Sequence, residues 1–341
     1  MAALEYLGRA PALGGVEPLF AGIDWVRLPV PGPLRHINVW LLADGDGCVL
    51  VDTGMDVPAA RAAWEGTLAA HLAGRPLKRI VCTHHHPDHA GLAAWLAERF
   101  GVPVYMSARE AAILSRFEEA AAGTGTGGWR VEGFARDGLE ASPAMRAALS
   151  GASYRSMVSG RPADLRTVED GEELVIGQRR WRALIVKGHT DAQVVLHAPD
   201  DGLLIAGDQV LPRITSNVGI YPERADPDPV ASFLGSFDRL EALAPEPTVL
   251  PSHGEVFRGL AARTGELRAH HAATLEKVRG LIERPTTARE LADRLYRGPL
   301  EGYNLVLAVG EALAHLEHLA LRGLLARQVT AGGLRQYRPA P

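Results

Sequence analysis

The sequence has few cysteines and no long apolar runs, which are typical of extracellular and membrane proteins respectively. Of 341 residues only two are cysteine, Cys48 and Cys82, and both lie in apolar runs typical of buried strands. A disulfide framework is therefore not expected, and this cysteine usage fits a reducing compartment. No stretch reaches the ~20 apolar residues that a membrane span requires, and the first residues do not follow the pattern of a secretory signal. We therefore expect a cytoplasmic protein.

An excess of charge of one sign is also missing. The sequence has 36 basic and 40 acidic residues, which gives a formal net charge of −4. Such a balance produces no general attraction to nucleic acid or to an acidic membrane. The 47% hydrophobic and 22% charged residues are ordinary for a globular protein. The length favours one large domain followed by a smaller one.

Predicted strands and helices alternate through most of the chain. Two strands joined by a turn at Asp44–Gly47 are followed by a helix from Pro58, a strand over Lys78–Thr83 and a helix over Leu92–Phe100. Further short strands follow between residues 172 and 254. This alternation indicates an α/β layered catalytic domain over residues 1–257.

Two segments depart from that alternation. Residues 108–160 combine helical pieces with the turn GTGTGG, and they predict an inserted helical segment that is either a lid or a surface elaboration. Residues 258–341 predict three helices, the second capped by Thr286 and Thr287, and then a hairpin turning at residues 331–333. This order favours a smaller winged-helix-like domain.

Histidine is concentrated in the stretch VCTHHHPDHAG, residues 81–91. His84 and His86 lie two apart just beyond a strand, so both can face one side of the extended chain. Asp88 and His89 follow after Pro87. Imidazoles and carboxylates are the ligands of a borderline cation such as zinc. The alternatives are an exposed polar loop and a proton-handling cluster without metal.

Three more potential ligands occupy the same kind of position as His84. His189 follows the apolar run RALIVKG, Asp208 follows LLIAG and His253 follows TVLPS. Because side chains at the ends of neighbouring strands can converge at one edge of a sheet, we expect these residues to meet the histidine stretch. The pattern predicts a metal site.

These motifs resemble those of a known family. THHHPDHAG, GHT, AGD and SHG, in that order, with LVDTG at residues 50–54, are similar to the motifs of the metallo-β-lactamase superfamily over residues 20–257. The resemblance implies an αββα sandwich with two metal ions at one edge. The implied ligands are three residues for the first ion, three for the second and one bridging carboxylate: His84, His86 and His189; Asp88, His89 and His253; and Asp208.

The resemblance also assigns residues behind the ligands. Asp52 would be a buried carboxylate that orients ligands, although capping the following helix is an alternative role. His85 matches no ligand position and is expected to support the ligands from behind. His197 is expected to pack within its strand. GHT continues as Asp191-Ala192-Gln193 rather than with the family's Pro-Gly, which leaves the turn after His189 unexplained.

The implied chemistry is hydrolysis. In such sites two ions, zinc first and iron or manganese as alternatives, lie about 3.5–4 Å apart and lower the pKa of a bound water toward ~7. A bridging hydroxide then attacks an electrophilic carbonyl or phosphoryl centre, and Asp88 would orient it or accept its proton. Asp208 stands where antibiotic-hydrolysing relatives commonly carry cysteine, and diiron electron-transfer relatives carry glutamate where His86 stands. The motif THHHPDHAG is closest to glyoxalase II-like hydrolases, so the predicted substrate is a small-molecule thioester or ester.

Other functions stay open. The segment from ELRAHHAATLEKVRG to LLARQV resembles the winged-helix segment of the lactamase-like protein 2 group, which includes a single-strand endoribonuclease. A metal-dependent endoribonuclease, a mononuclear-iron dioxygenase relative and a non-catalytic regulatory protein are therefore alternatives. The tail could equally pack on the catalytic domain or form a homodimer, since its basic residues are interspersed with glutamates.

Substrate contacts are expected from the 209–229 loop, with loop stabilisation as the alternative role for the same residues. The candidates are Arg213, Asn217 and Tyr221.

Overall fold

The computed structural model of the protein describes residues 4–72, 74–122 and 128–341. Residues 123–127 of the predicted turn GTGTGG lie outside this description.

The described chain forms sixteen strands and eleven helices. The strands are β1 (Glu5–Leu7), β2 (Val16–Phe20), β3 (Ile23–Pro29), β4 (His36–Asp44), β5 (Gly47–Val51), β6 (Leu77–Val81), β7 (Val104–Met106), β8 (Leu165–Thr167), β9 (Glu173–Ile176), β10 (Arg179–Val186), β11 (Gln193–Ala198), β12 (Leu203–Gly207), β13 (Thr248–Pro251), β14 (Val256–Arg258), β15 (Leu325–Val329) and β16 (Arg335–Pro339). The helices are α1 (Pro58–His71), α2 (Pro87–Ala90), α3 (Ala93–Phe100), α4 (Ala108–Ala121), α5 (Trp129–Ala135), α6 (Pro143–Ala148), α7 (Gly151–Arg155), α8 (Pro229–Glu241), α9 (Leu260–Leu281), α10 (Ala288–Leu295) and α11 (Gly302–Leu321).

Two seven-stranded sheets form the centre of the molecule. The first has the order β2-β3-β4-β5-β6-β7-β8, and the second has the order β1-β14-β13-β12-β11-β10-β9. In the first sheet β2 to β5 are antiparallel, while β5 to β8 are parallel because helices cross between them. In the second sheet β12 and β13 are parallel and are joined through α8.

The sheets face each other across an apolar core. Trp25 and Trp40 of the first sheet and Trp181 of the second are at most 1% exposed within this core. The outer faces are apolar too, which is why β5 and β12 are buried at every position. Helices α1 and α3 cover one outer face, and α8 and α9 cover the other. The predicted αββα sandwich is therefore confirmed.

The C-terminal region contains the predicted three helices and hairpin. Thr287 caps α10 in a capping box with Glu290, and β15 pairs with β16. A buried cluster joins this region to α5 and α6 through Val131, Phe134 and Met145. Leu260 of α9 instead packs with the second sheet. The predicted domain boundaries at residues 108, 160 and 257 stay predictions.

Two other expectations concern cysteine and membranes. Cys48 and Cys82 are both buried and free, as the sequence predicts. Within the described ranges no helix is both long enough and apolar enough to cross a lipid bilayer.

The two sheets are joined by hydrogen bonds at one edge. The amide of Val194, in the second sheet, donates to the carbonyl of Thr83 at the end of β6 (2.8 Å). Asn38 of β4 donates through its buried side chain to the carbonyl of Pro251 (2.9 Å) and to that of Gly254 (3.0 Å). These bonds bring the ends of β6 and β13 together, and the predicted ligands lie at this edge.

Candidate metal centre

The histidine stretch leaves β6 and turns into the single-turn helix α2. Pro87 occupies the first helical position, where its fixed φ favours helix formation and its missing N–H costs no hydrogen bond. The turn directs Asp88 and His89 inward, and both are buried. The short spacing of the motif therefore places its ligands on two sides of one bend.

Three imidazole nitrogens converge at the first pocket. His84 Nε2 lies 2.9 Å from His86 Nδ1 and 3.2 Å from His189 Nε2, and His86 Nδ1 lies 3.1 Å from His189 Nε2. Two nitrogens bound to one Zn²⁺ at a tetrahedral angle would lie about 3.3 Å apart, given Zn–N bonds of ~2.0–2.1 Å. The spacing therefore suits one cation held by three histidines.

A second pocket adjoins the first. Asp88 Oδ2 lies 3.3 Å from His253 Nε2 and 3.8 Å from His89 Nε2. Both of these buried imidazole nitrogens have no hydrogen-bond partner. Because an unpaired buried polar atom is costly, their convergence on a carboxylate indicates room for a ligand that accepts their lone pairs.

Asp208 lies between the pockets. Its Oδ2 is 3.4 Å from His189 Nε2, while its Oδ1 is 3.5 Å from both His89 Nε2 and His253 Nε2. One oxygen therefore faces each pocket. The seven predicted ligands are brought together in three overlapping groups whose donor atoms lie within 4.8 Å of one another: His84, His86 and His189; His84, His89 and Asp208; and Asp88, His89 and His253.

Four of the histidines have the ring nitrogen that faces away from the pockets tied to an acceptor. The pairs are His84 Nδ1 with Thr83 Oγ1 (3.0 Å), His89 Nδ1 with Asp52 Oδ2 (2.8 Å), His189 Nδ1 with the carbonyl of Asn217 (2.9 Å) and His253 Nδ1 with the carbonyl of His36 (2.7 Å). Such acceptors hold the proton on Nδ1 and leave Nε2 free as a ligand.

Asp52 lies next to His89, on the side away from the pockets. Its carboxylate accepts hydrogen bonds from the amide of Thr83 (2.7 Å), from the Thr83 hydroxyl (2.9 Å) and from His89. Helix α1 has Val57 as its N-cap and no side-chain cap, so Asp52 does not cap it. Asp52 has a φ of 61°, a conformation that costs energy outside glycine and is held here by these three bonds.

His85 belongs to none of the three donor groups. Its Nδ1 lies 2.5 Å from Glu110 Oε2, and Glu110 Oε1 accepts the amide of Ala192 (2.9 Å). The fully buried Glu110 therefore joins the histidine stretch to the segment after His189. Glu110 is not among the residues predicted from the sequence. It shares the buried face of α4 with the apolar Ile113 and Leu114, and an acid on an otherwise apolar helix face indicates a buried, paired carboxylate.

The three predicted substrate contacts have different surroundings. Arg213 is exposed, pairs with Glu255 (3.1 Å) and lies over the ring of Tyr6. Tyr221 is buried, and its hydroxyl donates to Asn217 Oδ1. The carbonyl of Asn217 is the acceptor for His189. The predicted contact roles stay predictions, and Asn217 has a direct link to a ligand that the sequence did not indicate.

Charge at the two pockets favours a cation. Burial, together with the neighbouring histidines, lowers the pKa of His84 and His86 well below 6.5, so both imidazoles are neutral. Burial also opposes the charge of His89 and His253, but Asp208 and Asp88 raise their pKa by more. The histidines in turn lower the pKa of Asp208 despite its burial. Ionised carboxylates thus stabilise positive charge where the unpaired nitrogens converge, and the donor set fits bound divalent metal.

Comparison with protein families gives two matches. The profile of the Metallo-beta-lactamase superfamily matches residues 32–253, which span every predicted ligand. The profile named Metallo-beta-lactamase-like, C-terminal domain, matches residues 275–340.

Individual proteins resemble the chain over most of its length. A beta-lactamase domain protein from Burkholderia ambifaria has a crystal structure with a TM-score of 0.88 and 37% identity, covering 99% of this chain and 98% of that one. The probable metallo-hydrolase YqjP of Bacillus subtilis (strain 168) is 26% identical over 314 residues, 86% of this chain and 91% of its own. The acyl-coenzyme A thioesterase MBLAC2 of Gallus gallus is 26% identical over 215 residues, 62% of this chain and 68% of its own.

Proposed function

Because the chain belongs to the metallo-beta-lactamase superfamily, we propose that it is a dinuclear metal-dependent hydrolase of small-molecule thioesters or esters. The observation that carries this proposal is the pair of adjoining pockets with Asp208 between them, one carboxylate oxygen facing each. A structural zinc site is usually closed by four ligands. Seven donors around two pockets are better suited to catalysis by two ions.

The residues have separate roles in this proposal. The first pocket would hold one ion and the second the other, with Zn²⁺ as the first expectation and iron or manganese as alternatives. Bound there, the ions would activate water and polarise a carbonyl oxygen. Asp88 has 12% of its side chain exposed and Asp208 has 10%, whereas that of His89 is fully buried, so water can reach the carboxylate of Asp88. Asp88 would therefore orient the attacking water and take its proton.

A thioester or ester fits this site for two reasons. The relative named an acyl-coenzyme A thioesterase supports acyl-transfer chemistry in a chain similar over 62% of this one. The carboxylate of Asp208 supplies an oxygen ligand between the pockets, where the resemblance leads one to expect cysteine in antibiotic-hydrolysing members. Of the three loop candidates, we retain Arg213 as a substrate contact, because its guanidinium is exposed while Asn217 and Tyr221 bond to each other.

The proposal is tested by metal analysis combined with a substrate panel. Purified protein should contain close to two metal ions per chain and hydrolyse acyl thioesters or open-chain esters faster than cyclic esters (lactones), phosphodiesters or single-stranded RNA. Metal removal should abolish the activity, and readdition should restore it. Asp88→Asn, which keeps the shape of the side chain but not its charge, should lower kcat about 100-fold or more, as expected for a proton-accepting group.

Other outcomes would replace the proposal. Metal-dependent cleavage of RNA with strong salt dependence, and none of thioesters, would favour the endoribonuclease. One iron per chain with consumption of oxygen would favour the dioxygenase relative.

A further inference from the structure

The turn that carries His189 has few hydrogen bonds of its own. Gly188 has a φ of 109°, and a Cβ placed on it would lie only 2.3 Å from Cβ of Phe233. The turn therefore needs glycine there and has no side chain at that position to anchor it. Its one local backbone bond runs from the amide of Gly188 to the carbonyl of Thr190 (3.0 Å).

Arg224 supplies the bonds that the turn lacks. Its Nη2 donates to the carbonyl of Gly188 (2.9 Å), and its Nη1 donates to the carbonyls of His189 (3.0 Å) and Gly219 (2.8 Å). The side chain is only 3% exposed. One buried guanidinium thus ties the His189 turn to the loop that contains Asn217, the residue whose carbonyl accepts from His189 Nδ1.

Asp191 holds Arg224 in place. Its Oδ1 accepts from Arg224 Nε (3.1 Å), while its Oδ2 accepts from Arg109 Nε and from the amide of Ala225 (both 2.8 Å). Asp191 is also the residue at which GHT departs from the family's Pro-Gly. The Asp191–Arg224 pair accounts for that departure, because it stabilises the turn by charge-assisted bonds where the family pattern has a rigid Pro-Gly sequence.

We propose that Arg224 is a positioning residue for the ligand His189, acting through the backbone of the turn. By holding two successive carbonyls, Arg224 fixes the direction in which the His189 imidazole leaves the chain. That direction places Nε2 3.1 Å from His86 Nδ1 and 3.4 Å from Asp208 Oδ2. This inference rests on the proposed function, since it assumes that the first pocket binds metal.

Arginine is required in this role, and lysine cannot replace it. The planar guanidinium of Arg224 donates four hydrogen bonds in different directions. The acceptors are Gly188, His189, Gly219 and Asp191. A lysine ammonium keeps the charge but has three donors on a flexible stem and no planar fork. A role in charge balance alone would therefore survive Arg224→Lys, whereas a role in positioning would not.

The test is a Co²⁺ titration of the full-length protein after removal of metal, followed by the visible absorption of the bound ion. Arg224→Lys and Arg224→Met should each weaken one of two binding steps by roughly 10–100-fold, the usual effect of removing a group that orients a ligand, and should alter the Co²⁺ spectrum of that step. Arg109→Met is the matched control. Arg109 pairs with the same carboxylate but donates to the carbonyl of Glu223 rather than to the turn, so its affinity should stay within about threefold of wild type.

Melting temperature and circular dichroism, measured on every variant, separate positioning from folding. If Arg224→Lys binds both Co²⁺ ions as wild type does, or lowers only the melting temperature, the inference is wrong while the proposed function stands. If neither arginine variant folds, Asp191→Asn, which keeps an accepting oxygen, provides the same comparison. A wild-type chain that binds no Co²⁺ would overturn the proposed function and the inference with it.

Discussion

The protein buries two groups of histidines, and only one of them is built to hold a cation. At the sheet edge, imidazole nitrogens converge with the carboxylates of Asp88 and Asp208. At the junction of α8, α9 and α11, His271 is stacked on His315 at 5.7 Å, and both nitrogens of His271 have no hydrogen-bond partner. Among the described residues, no metal-compatible donor group includes the junction histidines.

Carboxylates make the difference. The acid Asp228, at the start of α8, bonds to His318 (2.8 Å) and to Arg322 (2.8 Å), so its charge is already balanced. Burial lowers the pKa of His271 to about 3 and that of His315 to about 4, whereas Asp208 and Asp88 raise the pKa of His89 and His253. Burial alone therefore lowers the pKa of a histidine and disfavours its positive charge, whereas a nearby carboxylate that is not balanced by another cation raises the pKa.

Removing the carboxylate of Asp208, which lies between the two pockets, should have the largest effect on metal binding. The histidines at the sheet edge would then lose a neighbouring negative charge and resemble those at the junction. We expect Asp208→Ala to lose most of its bound metal at both pockets and its hydrolytic activity, by more than the roughly 10–100-fold that a group behind a ligand contributes. Metal content after dialysis against a defined free Zn²⁺ concentration measures this. Asp228→Asn, which removes the junction carboxylate and still caps α8, should keep its metal. Equal losses in the two variants would contradict the comparison.

A smaller loss of metal affinity is expected when the charge of Asp52, the carboxylate behind His89, is removed. Asp52→Asn keeps an acceptor oxygen but removes the charge that orients His89 Nδ1–H and the two donors of Thr83. Metal affinity should fall by about 10-fold, at the low end of the usual range, as measured by competition with a chromophoric chelator. Asp56→Asn is the control, because its carboxylate pairs with Arg61 instead. An unchanged affinity in Asp52→Asn would show that neutral hydrogen bonding is sufficient there.

The smallest expected effect is on the free energy of unfolding, and it arises from the junction histidines alone. His271 has a pKa of about 3 in the folded protein and about 6.5 when unfolded. As the pH falls from 6.5 toward 3, the unfolded chain binds the proton first, so folding loses free energy. The groups around it, His270, His315 and His318, are histidines that oppose the same charge.

His271→Phe should therefore weaken the fall of melting temperature between pH 7 and pH 5 by roughly 2–4 °C, which corresponds to about 2 kcal/mol for a chain of this size. Thermal unfolding of both proteins with chelator present measures it, so that the metal ligands contribute equally to each. Metal affinity should be unchanged. A variant with the same pH dependence as wild type would mean that the pKa of His271 does not differ between the folded and unfolded states.

The ligands could be predicted from the sequence because their signal is local. His84, His86, Asp88 and His89 share one bend, and His189, Asp208 and His253 each follow a strand, so the pattern predicts that these donors meet, and the family resemblance predicts which of them hold each ion. The αββα layers could be predicted for the same reason, since apolar runs of strand length alternate with helical periodicity.

The residues that hold the ligands could not be predicted in this way. Glu110 bonds to His85 and Ala192, and Arg224 reaches residues 188 and 189. Neither contact exists until distant segments pack, and arginine and glutamate are ordinary surface residues in a sequence. Asn217 is predicted as a substrate contact, yet its carbonyl accepts from His189, and a backbone carbonyl is present whatever the residue type.

The packing of α11 against the 217–224 loop limits how this protein can be recombined. Ile220 donates its amide to the carbonyl of Gly310 (3.0 Å), and a Cβ at Gly310 would lie 2.4 Å from the ring of Tyr221. Glu311 accepts from Asn217. The helix and the loop therefore fit only each other and should be exchanged together. A chimera that takes α11 from a relative without the matching loop would disturb a ligand support in the catalytic half, so successful crossovers should fall outside residues 217–311.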